Sequence, residues 1–174
     1  MAKNLNYKRG LAAGMGHGGI EAMILIGVTY LNNVLYILMI NNGTFDAVVK
    51  DAVAAGVDVS ALMLVKDQLV SASPALFLLA GFERILAMTG HVAMSLIVCY
   101  GVATGKPLKS ALVCLGIHTL MDLTAGISLL IGKGLSQTVA YVIIYAILTV
   151  MAVLSVFVIR NIRRRWQETE DYYV

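Results

Sequence analysis

The chain has 174 residues, of which 59% are hydrophobic and only 13% are charged. About a quarter of the residues in a soluble domain are charged, so this composition excludes a water-soluble globule and indicates an integral membrane protein. The net charge of +3, from 13 basic and 10 acidic residues, provides no basic face and excludes nucleic-acid binding as the main function. Cys99 and Cys114 are the only cysteines, and their apolar surroundings exclude a disulfide scaffold.

Four long apolar stretches predict an all-α, polytopic membrane helix bundle that forms a single domain. Each stretch reaches the ~20 residues that a helix needs to cross the hydrocarbon core. We expect a cytoplasmic tail over 160–174, loose beyond Trp166. The predicted spans cover about 11–40, 74–103, 108–131 and 138–159.

Turn signals separate the predicted spans. Gly43 stops the first, Pro74 begins the second, Gly105 precedes the third, and Ser136 is a candidate cap for the fourth.

The connection over 44–72 is too long for a simple turn. Apolar residues such as Phe45 and Val49, and later Leu62 and Leu69, recur at helical spacing beside charged ones. This pattern predicts two short amphipathic helices in an external loop. The loop is either a surface cap or a lid that gates access of a substrate.

The basic residues predict the orientation of the chain in the cell membrane. Nine fall on one side of the four-span arrangement and three on the other, and basic residues are in excess on cytoplasmic loops. We therefore expect a multi-pass protein with both termini in the cytoplasm. The nine are Lys3, Lys8, Arg9, Lys106, Lys109, Arg160, Arg163, Arg164 and Arg165, against Lys50, Lys66 and Lys133.

All three histidines lie inside predicted spans, each with a polar residue four positions later. Ionisable groups in the bilayer are costly and mark functional sites by default, and the i, i+4 spacing puts both members of a pair on one helix face. A rise of ~1.5 Å per residue puts the pairs roughly 15–18 Å deep, which predicts one shared site. The pairs are His17 with Glu21, His91 with Ser95, and His118 with Asp122.

Each pair also has a purely structural explanation. His17 can bond a neighbouring carbonyl, Ser95 its own helix, and Asp122 can bridge to His118. Glu83 and Arg84, near the outer end of the second span, form either an interfacial ion pair or a site where Arg84 points inward to hold a carboxylate or a substrate carbonyl.

Two sequence motifs are misleading here. The run from Gly14 to Gly19 satisfies G-x-G-x-x-G, but it lies in a membrane helix with no preceding strand, so it does not indicate dinucleotide binding. Gly10, Gly14 and Gly18 instead have the spacing that lets helices approach closely. No H-E-x-x-H motif occurs. The sequence still allows a dispersed Zn²⁺ site made by His17, His91 and His118 with carboxylates.

The run Gly14-Met-Gly-His17-Gly-Gly-Ile-Glu21-Ala22 resembles the signature of the YhfC family of bacterial membrane proteins. Glu83-Arg84, the His91 to Ser95 pair and the His118 to Asp122 pair follow in an order similar to the wider superfamily of PrsW-type proteases, CAAX-prenyl proteases and the Aph scaffold subunit of γ-secretase. The resemblance implies an intramembrane protease of the metallo- or glutamic type. It also implies that His118 and Asp122 polarise the scissile carbonyl or help to hold a metal.

Active members of that superfamily carry a paired-glutamate helix before the segment resembled here. This sequence has no adjacent glutamates, so the resemblance leads us to expect a truncated or split member. Glu21 is then either a polar supporting group or the base, if the chain works alone.

Three functions are compatible with these observations. The first is a peptidase that cuts a transmembrane or lipid-proximal peptide. The second is a non-catalytic scaffold or binding subunit, with another membrane chain supplying the missing helices. The third is a carrier of ions, protons or haem, since intramembrane histidines and acids also build relays.

Overall fold

The computed structural model describes residues 5–128 and 134–172, and every regular element in that part is helical, which confirms the predicted all-α class. A π-helical turn, Met23–Gly27, lies between the first two helices. The helices are α1 Tyr7–Ala22, α2 Val28–Asn41, α3 Thr44–Ala54, α4 Ser60–Ser71, α5 Pro74–Ala103, α6 Pro107–Ser128 and α7 Gln137–Tyr172.

Three helical stretches of the described chain are long and apolar enough to cross a membrane: Tyr7–Asn41, Pro74–Ala103 and Gln137–Glu168. They match the first, second and fourth predicted spans. The third predicted span is helical as α6, over 22 residues, but it is not among these three, so the count of four spans stays a prediction. Residues 129–131 of that span lie outside the described residues.

The expectation of a loose tail beyond Trp166 is wrong as far as Tyr172, because α7 continues through that residue. No glycine or proline interrupts α7, so the sequence contains no stop signal there. Trp166 also anchors this part of the helix. It is 1% exposed, and its ring lies 6.4 Å from that of Tyr7 and 5.3 Å from that of Tyr100.

The predicted turn signals act at the helix ends. Gly43 adopts a left-handed conformation with φ 78°, and the Thr44 N–H donates to Asn42 Oδ1 over 3.0 Å. The Val139 N–H donates to Ser136 Oγ over 3.3 Å, so Ser136 caps α7. Gly105, with φ 76°, reverses the chain between α5 and α6.

The chain divides into two compact units, one made of the described residues up to Ile20 with those from Gly81 onward, the other Glu21–Ala80. In the first unit, α5 is the central helix. Its residues Val92, Leu96 and Ala103 share one apolar core with Ile162 and Trp166 of α7.

The second unit contains the two short helices predicted for residues 44–72, which α3 and α4 confirm. Phe45 on α3 is 2% exposed, and its ring lies 6.0 Å from that of Tyr36. Lys66 on α4 forms an ion pair with Asp46 and places its Nζ 5.4 Å from the centre of the Phe45 ring. These contacts join α3 to α4.

Asp58 lies two residues before the second of these short helices, α4. The Ser60 backbone N–H donates to Asp58 Oδ1 over 2.9 Å. Hydrogen bonds from the Ser60 backbone and side chain lower the pKa of Asp58, so the carboxylate remains charged at neutral pH and keeps its hydrogen bond to the first residue of α4.

Candidate functional site

Three helices of the first unit bring the histidines together. One ring nitrogen from each of His17 on α1, His91 on α5 and His118 on α6 lies within 4.8 Å of the others. The His91 ring is in the middle, with its centre 5.2 Å from that of His17 and 5.3 Å from that of His118. His91 is 3% exposed, so the cluster is built around a buried imidazole.

Glycines on α1 allow this approach. A Cβ atom added at Gly14 would lie 2.6 Å from the Cα atom of Val92, and one added at Gly18 would lie 3.0 Å from the Cβ atom of His91. A Cβ atom added at Gly10 would lie 2.9 Å from the Cδ2 atom of Leu96. The three glycines thus form the surface of α1 that packs on α5, as their spacing predicts.

The predicted pair of His118 and Asp122 forms, with Nδ1 of His118 2.9 Å from Oδ2 of Asp122. A carboxylate accepts hydrogen bonds only, so a neutral His118 carries its proton on Nδ1 and its lone pair on Nε2. Asp122 thereby fixes both the tautomer and the orientation of the ring.

Glu21 lies on α1 one turn after His17, so the i, i+4 spacing places both side chains on one face of that helix. The π-helical turn begins two residues later, at Met23. Such turns inside α-helices are frequent at functional sites.

A cavity of about 500 Å³ opens beside the histidines within the first unit. Ser95 lines it, as its position one turn after His91 predicts. Along α5 the lining runs from His91 to Cys99, a rise of ~12 Å. The remaining wall is made of apolar and thiol side chains, namely Ala13, Met94, Val98, Ala111, Cys114 and Leu115.

The cavity wall is the part of the site that the sequence reasoning missed. Cys114 is buried, and its Sγ contacts the Met94 carbonyl oxygen at 3.3 Å, which joins α6 to α5. Ala111 and Cys114 precede His118 by seven and four residues, so the helical periodicity of α6 was the signal that could have found them.

Glu83 and Arg84 are not part of this cavity in the described chain. The Arg84 guanidinium donates to the Glu83 carboxylate, and both side chains are about one-third exposed or less. The sequence left two alternatives, an interfacial ion pair and an Arg84 that points inward. The contact between Arg84 and Glu83 agrees with the ion pair. Neither residue is among those that line the histidine cavity.

Fold and site together define a helical membrane protein in which three helices bring a histidine cluster together around the buried His91. The family profile described as YhfC intramembrane metalloprotease matches residues 1–146, and the chain belongs to this family. It is 32% identical over 168 residues to the uncharacterized membrane protein YhfC of Bacillus subtilis strain 168. That alignment covers 96% of this chain and 61% of the relative.

The chain therefore spans less than two thirds of the length of this relative. No solved structure matches it significantly. The chemistry of the site therefore follows from the residues of the histidine cluster.

Proposed function

We propose that the protein is a metal-dependent peptidase of the membrane, which hydrolyses a peptide bond in a transmembrane or lipid-proximal segment. The convergence of His17, His91 and His118 in a chain of a metalloprotease family carries this proposal. Imidazole nitrogens with a carboxylate oxygen are the donor set that catalytic Zn²⁺ uses. The residues therefore fit a divalent ion, with zinc as the first candidate.

The three histidines would hold the ion, and Glu21 would add a carboxylate next to His17. A divalent ion bound there would supply an acidified water and polarise a carbonyl. His118 would bind through Nε2, because its Nδ1 faces Asp122. Asp122 would keep that ring oriented and raise its basicity, as carboxylates behind metal-bound histidines do.

The apolar cavity beside the cluster would receive the peptide. Its length of ~12 Å along α5 equals three to four residues of extended chain at about 3.3 Å each. Ser95 would offer a hydroxyl for a backbone group of that chain, in a wall that otherwise binds apolar side chains.

Metal analysis of the purified protein tests the proposal. We expect about one divalent ion per chain in the parent and a loss of most of it in His91→Ala. Thr119→Ala is the matched control, since within the described residues the Thr119 hydroxyl donates only to its own helix, at the Leu115 carbonyl. Equal metal content in parent and His91→Ala would overturn the metal site.

Cleavage is tested separately, with a model transmembrane peptide and the same variants. Activity in the parent that His91→Ala and His118→Ala abolish is the expected result. Activity that survives in Glu21→Ala, His91→Ala and His118→Ala combined would overturn the peptidase.

A second candidate is a non-catalytic subunit that binds another membrane chain. The order of Glu83-Arg84, the His91 to Ser95 pair and the His118 to Asp122 pair favours it, because that order is similar to that of a superfamily that includes the Aph scaffold subunit of γ-secretase. Stable co-purification with another membrane protein, together with no cleavage by either protein, is the outcome that supports it.

A further inference from the structure

A second cavity lies in the first unit, on a different face of α5 and α6 from the histidines. Its volume is about 460 Å³, and none of its lining residues lines the histidine cavity. It is bounded by the end of α5, the start of α6 and the last third of α7. No part of the proposed peptidase uses it.

One end of this cavity is cationic. Lys106, Lys109 and Arg165 line it, and the described lining residues include no carboxylate. Neither lysine has an ion pair in the described part of the chain. Arg165 Nε donates to Asn161 Oδ1 over 3.4 Å. The first turn of α6 adds the partial positive charge of a helix N-terminus at the same place.

The other end of this cavity is apolar. Ile97 on α5, Val113 on α6, and Val158 and Ile162 on α7 line it. Tyr100 lies between the two ends and packs on the edge of Trp166, and aromatic rings of this kind collect at the level of the lipid headgroups. The cavity therefore changes from cationic to apolar along its length, as a phospholipid does from its headgroup to its acyl chains.

We propose that this cavity binds an anionic phospholipid, with the phosphate between Lys106, Lys109 and Arg165 and an acyl chain along the apolar wall. Basic pockets between membrane helices bind such headgroups. A small phosphate ion would satisfy the cations but would leave the apolar wall uncovered. A phospholipid covers both, and the bilayer supplies it at high local concentration.

Binding of phosphatidylglycerol to the purified chain tests this site. The affinity is measured in detergent by native mass spectrometry, with phosphatidylcholine as the zwitterionic comparison. We expect preference for phosphatidylglycerol and a roughly tenfold or greater loss of its affinity in the double variant Lys106→Gln/Lys109→Gln, because basic residues near the membrane surface attract anionic lipids. Lys50→Gln, an exposed lysine on α3, is the matched control and should bind as the parent does.

Three further measurements make the test decisive. Lys106→Arg/Lys109→Arg should restore the preference, which separates charge from a folding defect. Inorganic phosphate should not displace the lipid at equal concentration, and if it does, the site binds an anion only and the proposal is wrong. Unchanged lipid affinity in the double glutamine variant would also overturn the proposal. Metal content is expected to be the same in all of these variants, because the lysines are not part of the histidine site.

Discussion

At the scale of single residues, His118 and Asp122 show how the protein can prepare a ligand before any ion binds. The hydrogen bond between Nδ1 and Oδ2 is 2.9 Å long, while the Asp122 side chain itself is mostly exposed. Asp122 is thus a positioning residue under the proposed function, acting through the imidazole.

Substitution of Asp122 by asparagine should weaken metal binding without removing it. Loss of the carboxylate behind a ligating histidine costs about 10–100-fold in metal affinity. A competition titration with a chelating dye measures this change. Asp67→Asn, on α4 in the other unit, is the matched control, and equal affinities of all three proteins would contradict the assignment.

The histidines also show which residues of the site the sequence could predict. Helical rise alone puts His91 and His118 at similar depths, and the i, i+4 spacing gives the hydrogen bond between His118 and Asp122. Spacing along one helix cannot tell which faces of different helices meet. Cys114 in the cavity wall and the contact of Tyr7 with Trp166 depend on that choice, so the structure was needed to reveal them.

At the scale of helices, the close contact of α1 with α5 depends on glycine. The Cβ atom that Gly14→Ala adds would meet the backbone of α5 at Val92, and a backbone cannot move aside as a flexible side chain can. The two helices must then separate, which also moves His17 away from His91.

Gly14→Ala should therefore destabilise the protein by about 1–3 kcal/mol, the usual cost of overpacking, and should lower the metal content as well. Thermal unfolding in detergent measures the first effect. Gly16→Ala is the control, since nothing lies within 4 Å of a Cβ atom there. Its higher helix propensity should leave the stability equal or raised by up to about 1 kcal/mol. Equal melting temperatures for the two variants would show that the glycine contact is unimportant.

The helices also show where sequence patterns reach their limit. Capping and turn residues such as Gly43 and Ser136 predicted the helix ends closely, because these signals act locally. The π-helical turn over Met23–Gly27 was not predictable in this way, because an isolated glycine such as Gly27 inside an apolar helical pattern does not specify a π turn. α7 continues past Trp166 because Gln167, Glu168 and Glu170 are good helix formers and no glycine or proline follows to end the helix; polarity alone does not indicate a loop.

At the scale of the whole molecule, packing in the first unit argues for a fourth crossing. Ala103 near the end of α5 shares a core with Ile162 and Trp166 near the end of α7. Two consecutive spans with their C-terminal ends on one side require the chain to return between them. Only α6 lies there among the described residues, and its 22 residues extend ~33 Å.

Labelling of single cysteines with a membrane-impermeant maleimide tests this topology. With four spans and cytoplasmic termini, Val57→Cys should react in intact cells, while Thr104→Cys and Gln167→Cys should react only after the membrane is opened. The parent protein controls for Cys99 and Cys114. Reaction of both Val57→Cys and Gln167→Cys from outside would instead show three spans.

The apolar wall of the histidine cavity has a consequence for how a bound ion could be removed. His91 is almost wholly buried, and Ala13, Val98 and Leu115 line the cavity beside it, so a chelator that enters through this cavity must pass apolar side chains. A multiply charged chelator such as EDTA would have to shed its hydration to do so, at a high free-energy cost, whereas the neutral, aromatic 1,10-phenanthroline would not. We expect phenanthroline to strip the metal at least tenfold faster than EDTA at equal concentration, as measured by metal analysis over time, and equal rates would show that the cluster is open to water.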